Sequence, residues 1–135
     1  MSIVIPPHVE ERLRSNEMIW LNTVRPDGRP HSVPVWFLWE GATVLIFSKP
    51  QNQKIRNLRQ NRFVTLALDD TKIGHDVAIL EGTAELLGPG DKSATLQAYG
   101  EKYSEGLRRI GVPVEAFTAL YGQAIRVTPS RLITG

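Results

Sequence analysis

The chain of 135 residues contains no cysteine, so disulfide bonds, thiolate metal sites and cysteine nucleophiles are excluded. It also has no apolar run close to the ~20 residues of a membrane-spanning helix. Residues 1–17 lack a basic segment followed by a long apolar stretch, which argues against a secretory signal. We therefore expect a cytoplasmic protein with no membrane association.

The motifs of several enzyme classes are missing as well. There is no Gly-x-Ser-x-Gly elbow and no P-loop, which argues against acyl transfer and nucleotide hydrolysis by their common routes. The three histidines, His8, His31 and His75, lie far apart without the spacing of metal ligands, so no metal site is expected. No motif identifies a catalytic residue.

Negative charge is absent from one stretch in the middle of the chain. Residues 41–68 contain no Asp or Glu. Five cations occur there: Lys49, Lys54, Arg56, Arg59 and Arg62. The rest of the chain carries 11 basic against 14 acidic side chains, although the whole chain has a net charge of +2. Positive charge is therefore concentrated in one short stretch, residues 48–62, which we call the basic segment.

Length and composition fit a single domain over residues 1–135. Hydrophobic periodicity predicts strands at 18–24, 31–39, 42–47, 62–68, 76–87 and 121–133. It predicts helices at 8–15, at about 51–60, through Leu96, Tyr99 and Tyr103, and within 111–120. Hairpin connections make the sheet mostly antiparallel, and about six strands in so small a chain favour a closed or split barrel. The predicted fold is α+β, a small barrel with short flanking helices.

Turn and cap residues support these boundaries. The segment RPDGRP (25–30) predicts a turn in which Gly28 accepts a positive φ. Glu40-Gly41 separates two strand patterns and predicts a hairpin. Gly82 indicates a bulge or a close approach of backbone within its strand, and Asp91 is expected to cap the following helix.

The junction at Ser48-Lys49-Pro50 predicts an anion site. A strand ends there and a helix begins, and a helix N-terminus carries unpaired N–H groups and partial positive charge. Lys49 and Lys54 flank the first turn, where cations are unfavourable unless an anion neutralises them, and Ser48 adds a hydroxyl donor. A bound phosphate would satisfy these groups. The alternative is a solvated helix face with scattered cations.

Pro34 interrupts a run that is otherwise suited to a strand. Because proline removes a ladder donor, it belongs at an edge, at a bulge or where something other than a strand abuts the backbone. A flat ring lying against Val33, Pro34 and Val35 would account for it, and so would an ordinary edge strand.

Two further sets of residues stand out in the predicted strands. Trp20, Trp36 and Trp39 are assigned to the core or to an interface rather than to base stacking. Arg126 has apolar neighbours, and we expect it to reach a ligand, reach a subunit interface or extend to solvent at an edge.

Residues 21–68, LNTVRPDGRPHSVPVWFLWEGATVLIFSKPQNQKIRNLRQNRFVTLAL, carry a family resemblance. The motifs GRPHSVPVW, FSK, QKIRNL and NRFV, followed later by EGTAEL and IRVTP, occur in the order found in the pyridoxamine-phosphate-oxidase-like split-barrel flavoproteins. The chain most closely resembles the branch that depends on the deazaflavin coenzyme F420. The resemblance covers nearly the whole chain.

The resemblance implies a homodimeric split β-barrel with the cofactor, F420 or FMN, in a groove between subunits. Ser48, Lys49 and Lys54 would contact the cofactor phosphate, with Gln53 beside them, and Asn57 is a weaker candidate. Residues along the redox ring would be His31, Ser32, Val33, Pro34 and Val35. The chain ends RLITG without the arginine- and tryptophan-bearing segment of true pyridoxine-phosphate oxidases, so that activity is not expected.

The activity implied is hydride transfer from a reduced deazaflavin to an electron-poor small-molecule substrate. No protein nucleophile is required, and the proton donor is open between His31, His75 and water. One rival is an FMN-binding oxidase or electron carrier of the same fold. Another is a small barrel that binds RNA or DNA, against which the low net charge and the lack of aromatics beside the cations argue. No nucleic-acid partner is expected.

Overall fold

The computed structural model describes residues 3–68, 76–88, 93–111, 113 and 120–134, with the backbone only at 93–97. Within these residues the helices are α1 (Pro7–Ser15), α2 (Gln53–Gln60), α3 (Ser93–Lys102) and α4 (Ser104–Ile110). The strands are β1 (Met18–Val24), β2 (Pro30–Trp36), β3 (Leu38–Trp39), β4 (Val44–Ser48), β5 (Phe63–Leu68), β6 (Ala78–Leu87) and β7 (Gln123–Thr134). No helix in this part of the chain has the length and apolar character needed to cross a membrane.

The seven strands form one antiparallel sheet in the order β2-β1-β5-β6-β7-β4-β3. The sheet curls until β2, at one edge, approaches β4 near the other edge. The result is a curled half-barrel with short helices, which is a split barrel, and the predicted α+β class is confirmed. The seam between β2 and β4 is where the curled sheet remains open.

The predicted strand 31–39 is in fact two strands, and this part of the prediction is wrong. β2 pairs with β1, whereas β3 pairs with β4 at the far end of the sheet order. Phe37 lies between them and is fully buried. Its N–H donates to the Tyr103 hydroxyl at 2.7 Å, and its carbonyl accepts from Lys102 at 2.8 Å. Because side chains at the junction of α3 and α4 satisfy this peptide, it needs no neighbouring strand and the ladder breaks there.

The predicted turn and bulge are both present. Gly28 has φ of +90°, a conformation that side chains disfavour, and closes the turn between β1 and β2. The register of β6 against β7 shifts between Glu81 and Gly82. A Cβ atom on Gly82 would lie 2.4 Å from the Thr128 carbonyl oxygen, so the residue marks a close approach of two backbones.

Two apolar clusters flank the sheet. The larger fills the barrel and includes Val9 and Leu13 of α1 together with Ile55 and Leu58 of α2. The smaller packs α3 and α4 against the opposite face of β4 and β7. Its members are Leu45, Phe47, Tyr99, Tyr103, Leu107 and Ala124. The helices therefore bury one apolar face each, as amphipathic helices do.

Some predictions fall outside the described residues. These are the loop 69–75 with His75, the Asp91 cap, the side chain of Leu96 and most of the short helix within 111–120.

Candidate functional site

Pro34 lies on an edge strand. β2 is the first strand of the sheet and bonds to β1 alone, with Pro34 opposite Trp20. The missing N–H of proline is harmless on such a strand, so the edge interpretation accounts for the residue. The same edge faces the open seam, where a planar group would meet backbone rather than another strand.

A cavity of about 210 Å³ lies at this seam. It is lined by residues of β2, β4, α2, α3 and α4 and by one residue just before β7: Pro34, Val35, Trp36, Phe47, Lys54, Tyr99, Ile110 and Tyr121. Pro34, Val35 and Lys54 were predicted from the sequence as cofactor-binding residues, whereas the other five lining residues were not. The i, i+4 spacing of Tyr99 and Tyr103 predicted a helix face, but nothing in the sequence showed that this face would cover the seam.

The aromatic wall of the cavity is held by ring contacts. Trp36 stacks on Tyr103 with centroids 4.5 Å apart and planes 5° apart. Phe47 meets Tyr99 edge to face at 5.0 Å. Such pairs add about 0.5–1.5 kcal/mol each beyond their buried area. Burial raises the pKa of the Tyr99 phenol, so this wall stays uncharged over the physiological range. The cavity therefore presents a neutral aromatic surface.

Lys54 supplies positive charge at one end of the cavity. It occupies the second position of α2, whose first turn contains no acidic residue and whose N-cap, Asn52, makes no side-chain cap bond. The residue is only 8% exposed, and no hydrogen bond or ion pair joins its ammonium to any other described residue. Burial lowers the pKa of Lys54. An unpaired, largely buried cation at a helix N-terminus is costly, and an anion bound there would remove that cost.

His31 lies close to this charge. Its burial lowers the pKa of the imidazole, and the charges of Arg25 and Lys54 lower it further. His31 is therefore neutral at pH 7. Arg25 was not predicted as a site residue, because in the sequence it reads only as the first residue of a turn.

The other residues of the basic segment are placed less uniformly. Ser48 is 1% exposed and its hydroxyl donates to the Lys49 carbonyl at 2.9 Å. Lys49 is exposed, with its ammonium 5.4 Å from the centre of the Tyr121 ring. Tyr121 also lines the cavity, so Lys49 lies at its rim.

Asn57 is fully buried and holds α2 in position. Its side-chain amide donates to Thr23 Oγ1 at 2.9 Å, and its oxygen accepts from Gln53 at 2.8 Å. Gln53 is half-buried at the start of the helix. The arrangement gives Asn57 a supporting role, in which it orients Gln53 beside Lys54; direct cofactor contact by these two residues stays a prediction.

The residues of β2 that were predicted to contact the ring alternate between two faces of the strand. Val33 is half-buried against the barrel core, whereas Ser32 is exposed and donates to the Asn22 side chain at 2.6 Å. Only Pro34 and Val35 reach the cavity. Arg126, whose role was left open, pairs with Glu40 at 3.1 Å and does not line the cavity.

The sequence profile of the pyridoxamine 5'-phosphate oxidase family matches residues 5–132. The chain belongs to this family. No curated protein sequence matches it significantly. The family assignment agrees with the resemblance that the motifs of β2, β4 and α2 carry.

Several solved structures share the fold of this member of the pyridoxamine 5'-phosphate oxidase family. An F420 reductase is 24% identical with a TM-score of 0.75, over 96% of this chain and 98% of that one. The haem storage protein HutZ of Vibrio cholerae is 16% identical with a TM-score of 0.77, over 98% and 95%. An FAD-binding protein of Mesorhizobium loti is 18% identical with a TM-score of 0.72, over 96% and 90%. At these identities the likeness establishes the fold alone.

Proposed function

We propose that the protein is an oxidoreductase that binds coenzyme F420 at the seam and passes a hydride to an electron-poor small molecule. The observation that carries the proposal is Lys54, a largely buried and unpaired cation at the end of an aromatic cavity beside Pro34. F420 and FMN share two parts, an anionic tail and a planar ring. Lys54 would bind the tail, and the aromatic cavity beside Pro34 would accept the ring. FMN is the alternative cofactor.

The residues present fit such a cofactor. Lys54, Gln53 and the free N–H groups of α2 would hold the anionic tail. Trp36, Phe47 and Tyr99 would pack beside the ring and exclude water from it. When bound, the deazaflavin supplies the hydride.

Neutral His31 is a weak acid at pH 7, because its burial and two neighbouring cations favour the unprotonated ring. His31 donates the product's proton only if it has first taken one up itself, so water is the proposed donor.

We also propose a homodimer with the cofactor between subunits. The cavity holds about 210 Å³, whereas small-molecule sites span roughly 300–1,000 Å³. One chain therefore encloses part of a cofactor, and a second copy would complete the site.

The cofactor itself is tested by titrating the purified protein with F420 and with FMN and following absorbance and fluorescence. We expect saturable binding of F420 and weaker binding of FMN. Tight retention of FMN with no response to F420 would replace F420 by FMN, and no response to either would remove the oxidoreductase assignment.

The phosphate site is tested by Lys54→Ala. Loss of a buried charge-assisted contact should weaken cofactor binding by about 10- to 100-fold, or roughly 1.5–3 kcal/mol. Arg62→Ala is the matched control, because it removes an exposed cation of the same basic segment and should change affinity little. Equal affinities in the two variants would refute the site.

A further inference from the structure

Trp36, the last residue of β2, rests on a ring that is tied to the backbone. Its indole stacks on the Tyr103 ring, with centroids 4.5 Å apart and planes 5° apart. Tyr103 is 2% exposed, and its hydroxyl accepts from the Phe37 N–H at 2.7 Å and donates to the Phe37 carbonyl at 2.6 Å. One face of the indole is therefore blocked by a side chain that has little freedom to move.

Helix α4 meets the edge of the same indole. A Cβ atom on Gly106 would lie 3.0 Å from both Cζ2 and Cη2 of Trp36. Carbon atoms pack best at roughly 3.5–4.0 Å, so even a methyl group at this position would force the indole or the helix to move. The bare backbone of α4 thus fixes how far Trp36 can lie from the cavity that it lines.

Nothing in the local backbone requires glycine at this position. Gly106 lies inside α4 and has no positive φ, unlike Gly111, which caps the helix with φ of +70°. Within a helix glycine is less favourable than alanine, because it loses more conformational freedom on folding. What Gly106 provides is therefore the space that the Trp36 indole occupies.

The same face of α4 extends to the cavity. Ile110 follows Gly106 by four residues and so lies on the same side of the helix. It lines the cavity and is nevertheless 59% exposed, which places it where the cavity opens to solvent. Leu107, on another side of the helix, is buried in the smaller apolar cluster and anchors α4 to the sheet.

We propose that Gly106 is a specificity-determining residue, which sets through Trp36 the size of the planar ring that the cavity admits. Gly106 acts as a positioning residue, because Trp36 and not Gly106 borders the ligand. The identity of that ligand as the ring of the cofactor rests on the proposed function. The size limit itself applies to any planar aromatic ring that enters the cavity.

The physical reason is the small volume of the cavity. Tyr103 blocks one face of the indole and α4 blocks its edge, so a side chain at residue 106 would displace Trp36 toward the open space that it borders. The cavity holds about 210 Å³, and a large ring that fits it closely tolerates little displacement of a wall. A smaller ring has room to adjust, so the effect should increase with ring size.

The test titrates Gly106→Ala with two fluorescent probes that carry no phosphate: lumiflavin, which has three fused rings, and 2-naphthol, which has two. We expect lumiflavin binding to weaken by about tenfold and 2-naphthol binding by no more than about threefold. Gly88→Ala is the control, because nothing lies within 4 Å of its Cβ position, and it should change neither affinity.

Trp36→Phe distinguishes a narrowed cavity from a disturbed helix. Phenylalanine is smaller than tryptophan and lacks the two indole atoms that meet Gly106. The double variant Gly106→Ala/Trp36→Phe should therefore bind lumiflavin as well as Trp36→Phe alone, a coupling that damage to α4 would not produce. Equal lumiflavin affinities of wild type and Gly106→Ala, an equal loss for both probes, no recovery in the double variant, or no lumiflavin binding at all would each overturn the proposal.

The two proposals fail separately. If Gly106→Ala discriminates between the probes and neither F420 nor FMN binds, the size limit stands and the proposed function falls. If F420 or FMN binds and is turned over equally by wild type and Gly106→Ala, the function stands and the role of Gly106 falls.

Discussion

At the scale of single residues, Phe37 shows how one peptide redirects a strand. The Tyr103 hydroxyl accepts from its N–H, and the hydroxyl and the Lys102 ammonium both donate to its carbonyl, at 2.6 and 2.8 Å. The ammonium also lies 3.8 Å from the centre of the Phe37 ring. These contacts tie the end of α3 to the point where β2 gives way to β3. They hold the aromatic wall of the cavity in register with the seam.

Lys102 gives a pH-dependent test of this contact. Burial lowers the pKa of Lys102 to about 8, well below its value in the unfolded chain. Between pH 8 and pH 10 the unfolded state binds more protons at this position than the folded state, so the free energy of unfolding should rise with pH. Urea denaturation at several pH values measures it.

Lys102→Met is the matched variant, since methionine can still pack on Phe37 but does not titrate. We expect a smaller rise between pH 8 and pH 10 than in the wild type. The range ends at pH 10 because burial raises the pKa of Tyr103, which reverses the trend at higher pH. Equal slopes in the two proteins would show that Lys102 does not couple to folding.

At the scale of elements, the bulge of β6 is the feature that shapes the barrel. The register against β7 shifts at Gly82, and the strand bends there. The absence of a side chain lets the Thr128 carbonyl come close, so both strands can continue past the bulge. A long β6–β7 pair that bends without breaking allows seven strands to curl far enough to form the seam.

Gly82→Ala should therefore be destabilising. Its Cβ would lie 2.4 Å from the Thr128 carbonyl oxygen, so the backbone must shift, at a cost of roughly 1–3 kcal/mol. Gly88→Ala is the control, because nothing lies within 4 Å of its Cβ position. Denaturation midpoints of both variants against wild type measure the difference. A Gly82→Ala variant as stable as Gly88→Ala would show that the close approach does not constrain the sheet.

At the scale of the whole molecule, one face of the sheet exposes large apolar side chains. The strand registers place Trp20, Ala67, Ile79 and Ile133 side by side, with Phe63 further along β5. Trp20 is 42% exposed and Phe63 is 68% exposed. The row from Trp20 to Ile133 is an apolar surface of the kind typical of interaction sites, and Phe63 is separated from it by the polar row of Asn22, Thr65 and Glu81. A second copy of the chain is the partner that the proposed cofactor site calls for.

Phe63→Lys tests that assembly. A charge in place of this exposed apolar side chain on the proposed dimer face should weaken dimerisation on the order of tenfold or more. Val4→Lys replaces an apolar side chain that is 89% exposed elsewhere and should leave the assembly unchanged. Light scattering coupled to size exclusion, over a range of concentrations, measures the mass. A monomeric wild type would contradict the dimer, and an unaffected Phe63→Lys dimer would exclude this face.

Features that depend only on neighbouring residues could be predicted from the sequence. Strand and helix periodicity, the turn at Gly28 and the bulge at Gly82 were predicted because each arises from local backbone chemistry. Lys54 was predicted as a site residue for the same reason, since an uncompensated cation in a first helical turn is a local conflict. The motif order in residues 21–68 predicted the family, which is confirmed.

Contacts between residues distant in the sequence depend on the tertiary fold. The break at Phe37 depends on side chains more than sixty residues away, so a continuous apolar run could not reveal it. The same long-range packing brings Phe47 and Tyr99 to the cavity and Arg25 to His31. Periodicity reports which face of an element is apolar, but the partner of that face is fixed only when the sheet curls and the helices dock on it.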